Sequence, residues 1–277
     1  MATARSRFAE VASGRIHYQE SGQGPPLLLA NMWTASGLLW PRRWVERLER
    51  SFRLLRVCNR GTGYSSPATE PFSLGDLAAD ALAVLDHAGV ERAHVLGISM
   101  GGMLSQLLAL SWPQRVERLV LLASCPPRPE AVTPSPQDEL RLLTPPPEAA
   151  SVAEIVRSLW RNMAAPGFAE RDPDAIAEIA ELSLAVPTSP EVILLQRQAI
   201  DGFDGAERLR DLCVPTLIVH GDEDPLLVVE NGRRLQRLIA GSSYRELPGV
   251  GHLIPWEAHE ETLALVEEFL EPVSRSG

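Results

Sequence analysis

Short apolar runs alternate with amphipathic stretches over the first half of the chain and again over its last quarter. Seven runs have the composition of β-strands, at residues 16–18, 27–30, 54–57, 94–98, 119–123, 216–220 and 244–247. Several are almost continuously apolar, which is typical of strands covered on both faces of a sheet. Helical periodicity lies between them, at residues 74–88, 100–110, 230–239 and 258–270. This alternation predicts an α/β fold with a doubly wound, mostly parallel sheet.

The alternation stops between residues 126 and 203, where no strand pattern occurs. Prolines are dense at the start of this stretch, and helical patterns follow at residues 152–163, 174–184 and 190–200. We therefore predict a helical cap inserted into the sheet domain. The predicted division is core residues 1–125, cap residues 126–203 and core residues 204–277, all within the size range of α/β proteins.

The composition limits the binding partners and the cellular compartment that we expect for the protein. The formal net charge of -10 opposes binding to nucleic acids or anionic membranes. The three cysteines, Cys58, Cys125 and Cys213, are scattered and odd in number, which predicts neither a disulfide framework nor a metal cluster. Neither a secretory h-region nor an apolar run of about 18 residues is present. We expect a cytoplasmic protein with a homodimer as one alternative for its assembly.

A serine lies among glycines where a predicted strand meets a predicted helix. The segment Gly97-Ile98-Ser99-Met100-Gly101 has the Gly-x-Ser-x-Gly spacing of a nucleophile elbow, in which glycines relieve the crowding of a sharp turn. The turn would raise the Ser99 hydroxyl above the sheet, next to the unpaired N–H groups that begin the helix. The pattern alone is weak, but its strand–helix context favours a nucleophilic serine.

A serine nucleophile needs a base, and imidazole transfers protons near neutral pH. His252 follows two glycines in a loop before the last helix, where parallel sheets assemble sites. The acid that orients it should follow the penultimate predicted strand. There Asp224 is the first choice and Asp222 the second, and we expect His220 to shape that turn. Structural positions are expected for the other histidines: His17, His87, His94 and His259.

These motifs together resemble the α/β-hydrolase superfamily, in particular its capped small esterases and enol-lactonases. The resemblance covers nearly the whole chain and is most specific in "GISMGGMLSQLLALSWPQRVERLVLLAS", "PTLIVHGDEDP" and "GVGHLIPWE". It implies Ser99 as nucleophile, Asp224 as acid and His252 as base. It also implies an oxyanion hole formed by the backbone N–H groups of Trp33 and Met100.

The chain departs from the family pattern at two places. Asn31-Met32-Trp33 stands where relatives usually carry His-Gly, which makes the oxyanion loop bulkier. Cys58 stands where an Asp usually precedes Arg-Gly-x-Gly-x-Ser, although Arg60 and the rest of that motif remain. That motif usually fixes a turn, so we expect Cys58 to be a buried, unreactive thiol.

The resemblance implies a serine hydrolase that cleaves ester or lactone bonds of a small, partly apolar molecule, without a metal or organic cofactor. The expected substrate pocket, whose residues each also fit plain core packing, is lined by Met32, Trp160, Met163, Phe168, Leu226 and Leu253. Arg157 and Arg161 either hold a substrate carboxylate or face solvent. Four alternatives stay open: a cofactor-free perhydrolase, a carbon–carbon bond hydrolase, an acyltransferase and a non-catalytic receptor.

Overall fold

One eight-stranded sheet forms the centre of the computed structural model, which describes residues 4–149 and 151–271. The strands are β1 (Arg5–Val11), β2 (Gly14–Ser21), β3 (Pro26–Ala30), β4 (Arg53–Val57), β5 (Ala93–Ile98), β6 (Val116–Leu122), β7 (Thr216–Gly221) and β8 (Ser243–Leu247). Their order is β1-β2-β4-β3-β5-β6-β7-β8. β2 pairs antiparallel with β1 and β4, and every other pairing is parallel.

Helices cover both faces of this sheet. In chain order they are α1 (Arg42–Leu48), α2 (Leu74–His87), α3 (Met100–Ser111), α4 (Pro136–Leu143), α5 (Val152–Met163), α6 (Phe168–Arg171), α7 (Pro173–Ala185), α8 (Pro190–Asp201), α9 (Glu230–Leu238), α10 (Ile254–Glu257) and α11 (His259–Leu270). The start of α2 shows why a helix begins there: the Ser73 hydroxyl accepts the Asp76 N–H, and the Asp76 carboxylate accepts the Ser73 backbone N–H.

Successive side chains of each central strand enter two different cores. In β3, Leu27 and Leu29 pack on the face covered by α1 and α11, whereas Leu28 and Ala30 pack on the face covered by α2, α3 and α9. This follows from the two-residue repeat of a strand, which sends neighbours to opposite faces. The doubly wound, mostly parallel architecture predicted from the alternating pattern is confirmed.

All seven predicted strands are present, with ends that differ by up to three residues. The pattern missed β1, because its side chains are mostly exposed and it contains no apolar run. It also missed the short helices α1, α4, α6 and α10. Since these helices span four to eight residues, they hold too few turns for a helical repeat to stand out.

A helical segment interrupts the sheet between β6 and β7. The three cap helices expected from periodicity correspond to α5, α7 and α8, and α5 has the predicted bounds. In the described part of this segment the backbone forms no named strand, only an isolated bridge between Arg128 and Asp204. The domain limits at residues 126 and 203 stay a prediction, whereas helices α4–α8 give the segment its structure.

Candidate active site

Ser99 occupies a sharp turn between β5 and α3. Its backbone φ of 55° and ψ of -120° are rare for a residue with a side chain, and such strain concentrates at functional sites. A Cβ on Gly97 would lie 2.3 Å from the Gly101 carbonyl oxygen, and one on Gly101 would lie 2.1 Å from that of Ala30. The turn therefore requires both glycines, and they allow α3 to start directly behind the serine.

Asp224, and not Asp222, faces His252. The Asp224 Oδ2 atom lies 2.7 Å from His252 Nδ1, and both side chains are buried. The other carboxylate oxygen accepts hydrogen bonds from the Leu226 and Leu227 N–H groups at 2.9 and 2.8 Å. Asp222 is exposed and accepts the Gly249 N–H instead. Asp224 therefore engages the Nδ1 atom of the His252 imidazole, and Nε2 is the ring nitrogen that Asp224 does not bind.

The charge state of Asp224 is set by two imidazoles. Burial alone would raise the pKa of its carboxyl, but His252 and His220 outweigh burial and lower that pKa below its usual value. His220 Nε2 lies 3.5 Å from Asp224 Oδ2 and is hydrogen-bonded to the Leu227 carbonyl oxygen. The turn-shaping position expected for His220 therefore includes a direct contact with the acid.

Glu257 supports the loop that carries His252, a contact that the sequence reasoning missed. Its carboxylate accepts N–H groups from Gly251 at 2.9 Å, Leu253 at 2.8 Å and Ala165 at 2.8 Å. Burial raises the pKa of this carboxyl, against the opposing effect of those three donors. The position of His252 is thus fixed from two sides, by Asp224 on its ring and by Glu257 on its backbone.

The loop after β3 carries Trp33, whose backbone N–H is expected to form part of the oxyanion hole, and Asn31, which precedes it. Asn31 replaces the usual histidine there, and its amide donates to the carbonyl oxygens of Ser36 at 3.0 Å and Leu39 at 2.5 Å. Its Oδ1 atom accepts the Met32 N–H at 2.8 Å. These bonds hold the bulkier loop in place, with Trp33 beside Ser99 in the cavity wall.

The cap holds this loop through three hydrogen bonds, two that involve helix α8 and one from Thr188 just before that helix; we term them the cap–loop contacts. Trp33 Nε1 donates to the Ile193 carbonyl oxygen at 3.0 Å, and the Thr34 N–H donates to Gln196 Oε1 at 3.0 Å. The Thr188 hydroxyl donates to the Thr34 carbonyl oxygen at 2.7 Å. Thr34 has a φ of 67°, so the cap binds both backbone groups of a strained residue.

Two cavities meet at Ser99. The larger, the apolar cavity, encloses about 440 Å³; among its walls are Met32, Val156, Trp160, Met163, Leu226 and His252. The smaller, the side cavity, encloses about 260 Å³; among its walls are Met103, Cys125, Arg128, Glu139, Arg197, Ile200, Asp201, Phe203 and Leu227. Trp33, Ser99 and Leu226 line both cavities.

Four of the six predicted pocket residues, Met32, Trp160, Met163 and Leu226, lie in the wall of the apolar cavity. The other two do not: Phe168 and Leu253 are buried in the core beside it. Core and cavity wall are both apolar, so hydrophobicity alone does not separate them. Met100 is fully buried at the first position of α3, where helix N–H groups have no intrahelical partner.

Arg157 and Arg161, the two cap arginines considered as ligands of a substrate carboxylate, lie outside both cavities. Arg157 is exposed, and Arg161 lies 2.5 Å from the carboxylate of Glu170. Neither is among the residues that line the apolar or the side cavity. The solvent-facing alternative is therefore the correct one for this pair.

The Arg60 motif forms a structural turn near β2. The Arg60 guanidinium makes a bidentate pair with Asp80, with both bonds at 2.8 Å, and the Ser65 hydroxyl donates to the Cys58 carbonyl oxygen at 2.7 Å. A Cβ on Gly63 would lie 2.4 Å from Cys58 Sγ. The expected burial of Cys58 is confirmed, and burial raises the pKa of its thiol to about 11, in keeping with the unreactive thiol that we predict.

Two general properties of the described residues, 4–149 and 151–271, bear on the site. No helix among them is both long and apolar enough to span a bilayer. No group of three His, Cys, Asp or Glu side chains among them is arranged to hold a metal ion.

Comparison with known proteins shows which family the chain belongs to. The model of a family described as alpha/beta hydrolase fold matches residues 25–259. A 2-hydroxy-6-oxononadienedioate/2-hydroxy-6-oxononatrienedioate hydrolase of Klebsiella pneumoniae is 29% identical, over 96% of each chain. A 3-oxoadipate enol-lactonase of Acinetobacter baylyi is 26% identical, over 84% of each chain. The crystal structure of an enol-lactonase from Burkholderia xenovorans is 26% identical, with a TM-score of 0.80 over 95% of this chain and 99% of that one.

Proposed function

The chain belongs to the α/β-hydrolase family and is a hydrolase, and we propose that it cleaves carboxylic ester or lactone bonds through a Ser99–His252–Asp224 triad. The observation that carries this proposal is the shared position of three features. A strained serine and a histidine line the same apolar cavity, and that histidine is paired with a buried carboxylate at 2.7 Å. The substrate is a small, partly apolar molecule, because the cavity wall is mostly aliphatic and aromatic.

The proposed reaction is acyl transfer to the serine and then to water. His252 Nε2 takes the proton of Ser99 Oγ as that oxygen bonds to the substrate carbonyl carbon. The N–H groups of Met100 and Trp33 stabilise the oxyanion. When the intermediate collapses, the bond to the leaving oxygen breaks and His252 returns its proton to that oxygen. A water molecule then repeats the sequence on the acyl enzyme and releases the acid.

Asp224 supports both halves of this cycle without accepting a proton itself. Its hydrogen bond holds His252 Nδ1 as the protonated nitrogen, which leaves Nε2 free to act as the base. The lowered pKa of the carboxyl means that it stays ionised and stabilises the imidazolium formed in each step. Burial away from water strengthens this stabilisation.

The test is covalent labelling and turnover on matched variants. The wild type should bind one equivalent of a fluorophosphonate and hydrolyse p-nitrophenyl butyrate, and Ser99→Ala should do neither. Ser111→Ala, which changes an exposed serine at the end of the same helix, should behave as wild type. Absence of labelling and of turnover in the wild type would refute a reactive Ser99 and with it the proposed function.

A further inference from the structure

Building on the proposed function, we infer that the substrate is an open-chain ester whose alcohol arm binds in the apolar cavity and whose shorter, uncharged acyl arm binds in the side cavity. A nucleophile at the end of one pocket would face a single substrate arm. Ser99 instead lines two cavities, and Trp33 and Leu226 also line both of them. Both sides of the scissile bond therefore have a place to extend.

The position of the base decides which arm enters which cavity. His252 lines the apolar cavity and is absent from the wall of the side cavity. A general acid must come within about 2.6–3.2 Å of the oxygen that it protonates. The leaving oxygen, and the alcohol chain attached to it, therefore lie on the His252 side. The acyl chain, attached to the carbonyl carbon on the opposite side, extends into the side cavity.

The size and charge of the side cavity define the acyl arm. Its volume is about 260 Å³, against about 440 Å³ for the apolar cavity, so it accepts the shorter arm. Its wall includes the apolar side chains of Met103 and Phe203.

The wall of the side cavity also carries four charged side chains, Arg128, Glu139, Arg197 and Asp201, and all of them are paired. Arg197 binds both Glu139 and Asp201, and Arg128 binds Asp201 at 3.3 Å. Two cations already neutralised by two carboxylates offer no free charge to an ionised acyl group. A charged acyl arm would have to break one of these pairs, so an uncharged arm fits better.

Two isomeric esters separate the arms, because octyl acetate and ethyl octanoate have the same atoms distributed differently. Two matched variants narrow one cavity each. Val156→Trp acts on α5 in the apolar cavity, and Ile200→Trp acts on α8 in the side cavity. Both positions are half-buried aliphatic residues of cap helices. Ester hydrolysis is followed in a pH-stat, and fluorophosphonate labelling reports whether Ser99 stays reactive.

The wild type should prefer octyl acetate, since its long arm is the alcohol. Val156→Trp should lower kcat/KM for octyl acetate about tenfold or more and leave ethyl octanoate within about threefold, as expected for overfilling one cavity. Ile200→Trp should do the reverse. A variant that no longer labels is replaced by Phe at the same position, which introduces less volume.

The opposite pattern, with Ile200→Trp impairing octyl acetate, would overturn the assignment of the arms while leaving a working serine hydrolase. Equal losses for both esters in both variants would overturn the idea of two separate cavities. A wild type that cleaves lactones more than about tenfold faster than either ester would overturn the open-chain substrate. A wild type that neither labels nor hydrolyses any of these compounds would refute the proposed function itself, which the labelling result distinguishes.

Discussion

The cap–loop contacts predict that a residue remote from the chemistry controls the oxyanion hole. Gln196→Met removes the Oε1 atom that accepts the Thr34 N–H at 3.0 Å while keeping a side chain of similar length. Thr34 has a φ of 67°, and a non-glycine residue in this region costs about 1–3 kcal/mol. Without its acceptor, the loop gains little by keeping that conformation, and Trp33 should leave the position from which we propose that its N–H reaches the oxyanion.

The size of the effect follows from the population of the active loop. An unpaired N–H in a partly buried position costs about 1–3 kcal/mol. If about 1–2 kcal/mol of this cost shifts the loop equilibrium, kcat falls roughly 5- to 30-fold at constant temperature. Complete loss of one oxyanion donor, about 100- to 1000-fold, is the upper limit.

The assay is steady-state hydrolysis of p-nitrophenyl butyrate by Gln196→Met and by Gln198→Met, a control at an exposed glutamine of the same helix. The first variant should lose kcat with little change in KM, and the control should match wild type. Adding Thr34→Gly to Gln196→Met should restore several-fold activity, because glycine adopts a positive φ without strain. A Gln196→Met variant within about twofold of wild type in kcat would refute the reasoning.

Three further outcomes test other parts of the site. Asp224→Asn should lower kcat about ten-thousand-fold, as expected for a wrong imidazole tautomer, and an effect below about tenfold in initial rates would remove Asp224 from the triad. Glu257→Gln has one acceptor oxygen for three N–H groups, so calorimetry should show a Tm about 2–8 °C lower; an unchanged Tm would contradict the supporting role. Cys213 is exposed whereas Cys58 and Cys125 are buried with raised pKa values of about 11 and about 12. A thiol reagent at pH 8 should therefore modify one cysteine in the native protein and three in urea, and rapid modification of all three without urea would contradict the packing.

Among the parts of the site that the sequence predicted, the turn at Ser99 is set by local sterics. The elbow needs its glycines within five residues of one another, because a Cβ on Gly97 or Gly101 would overlap backbone atoms at 2.3 or 2.1 Å. A steric requirement of this kind can be recognised in a short segment of the sequence. The same holds for the core strands, whose apolar runs result directly from burial on both faces.

Several of the contacts that sequence reasoning missed join positions far apart in the chain. Gln196 is 162 residues from Thr34, and Glu257 is 92 residues from Ala165. A polar side chain that holds a distant backbone group carries no periodicity and no neighbouring motif, so it resembles any polar residue on a helix. Phe168 was misplaced for a related reason, since a core position and a cavity wall demand the same apolar character.

The missed contacts also determine how substrate reaches Ser99. The cap binds the oxyanion loop through α8 and the His252 loop through the backbone, where the His252 N–H donates to the Met163 carbonyl oxygen at 2.9 Å. Lifting the cap would break the contacts that hold both loops. Val152 and Leu184 nevertheless line the apolar cavity while 67% and 36% exposed. These wall residues, at the start of α5 and near the end of α7, are therefore accessible to solvent, and we expect an apolar substrate to enter beside them while the cap stays bound to both loops.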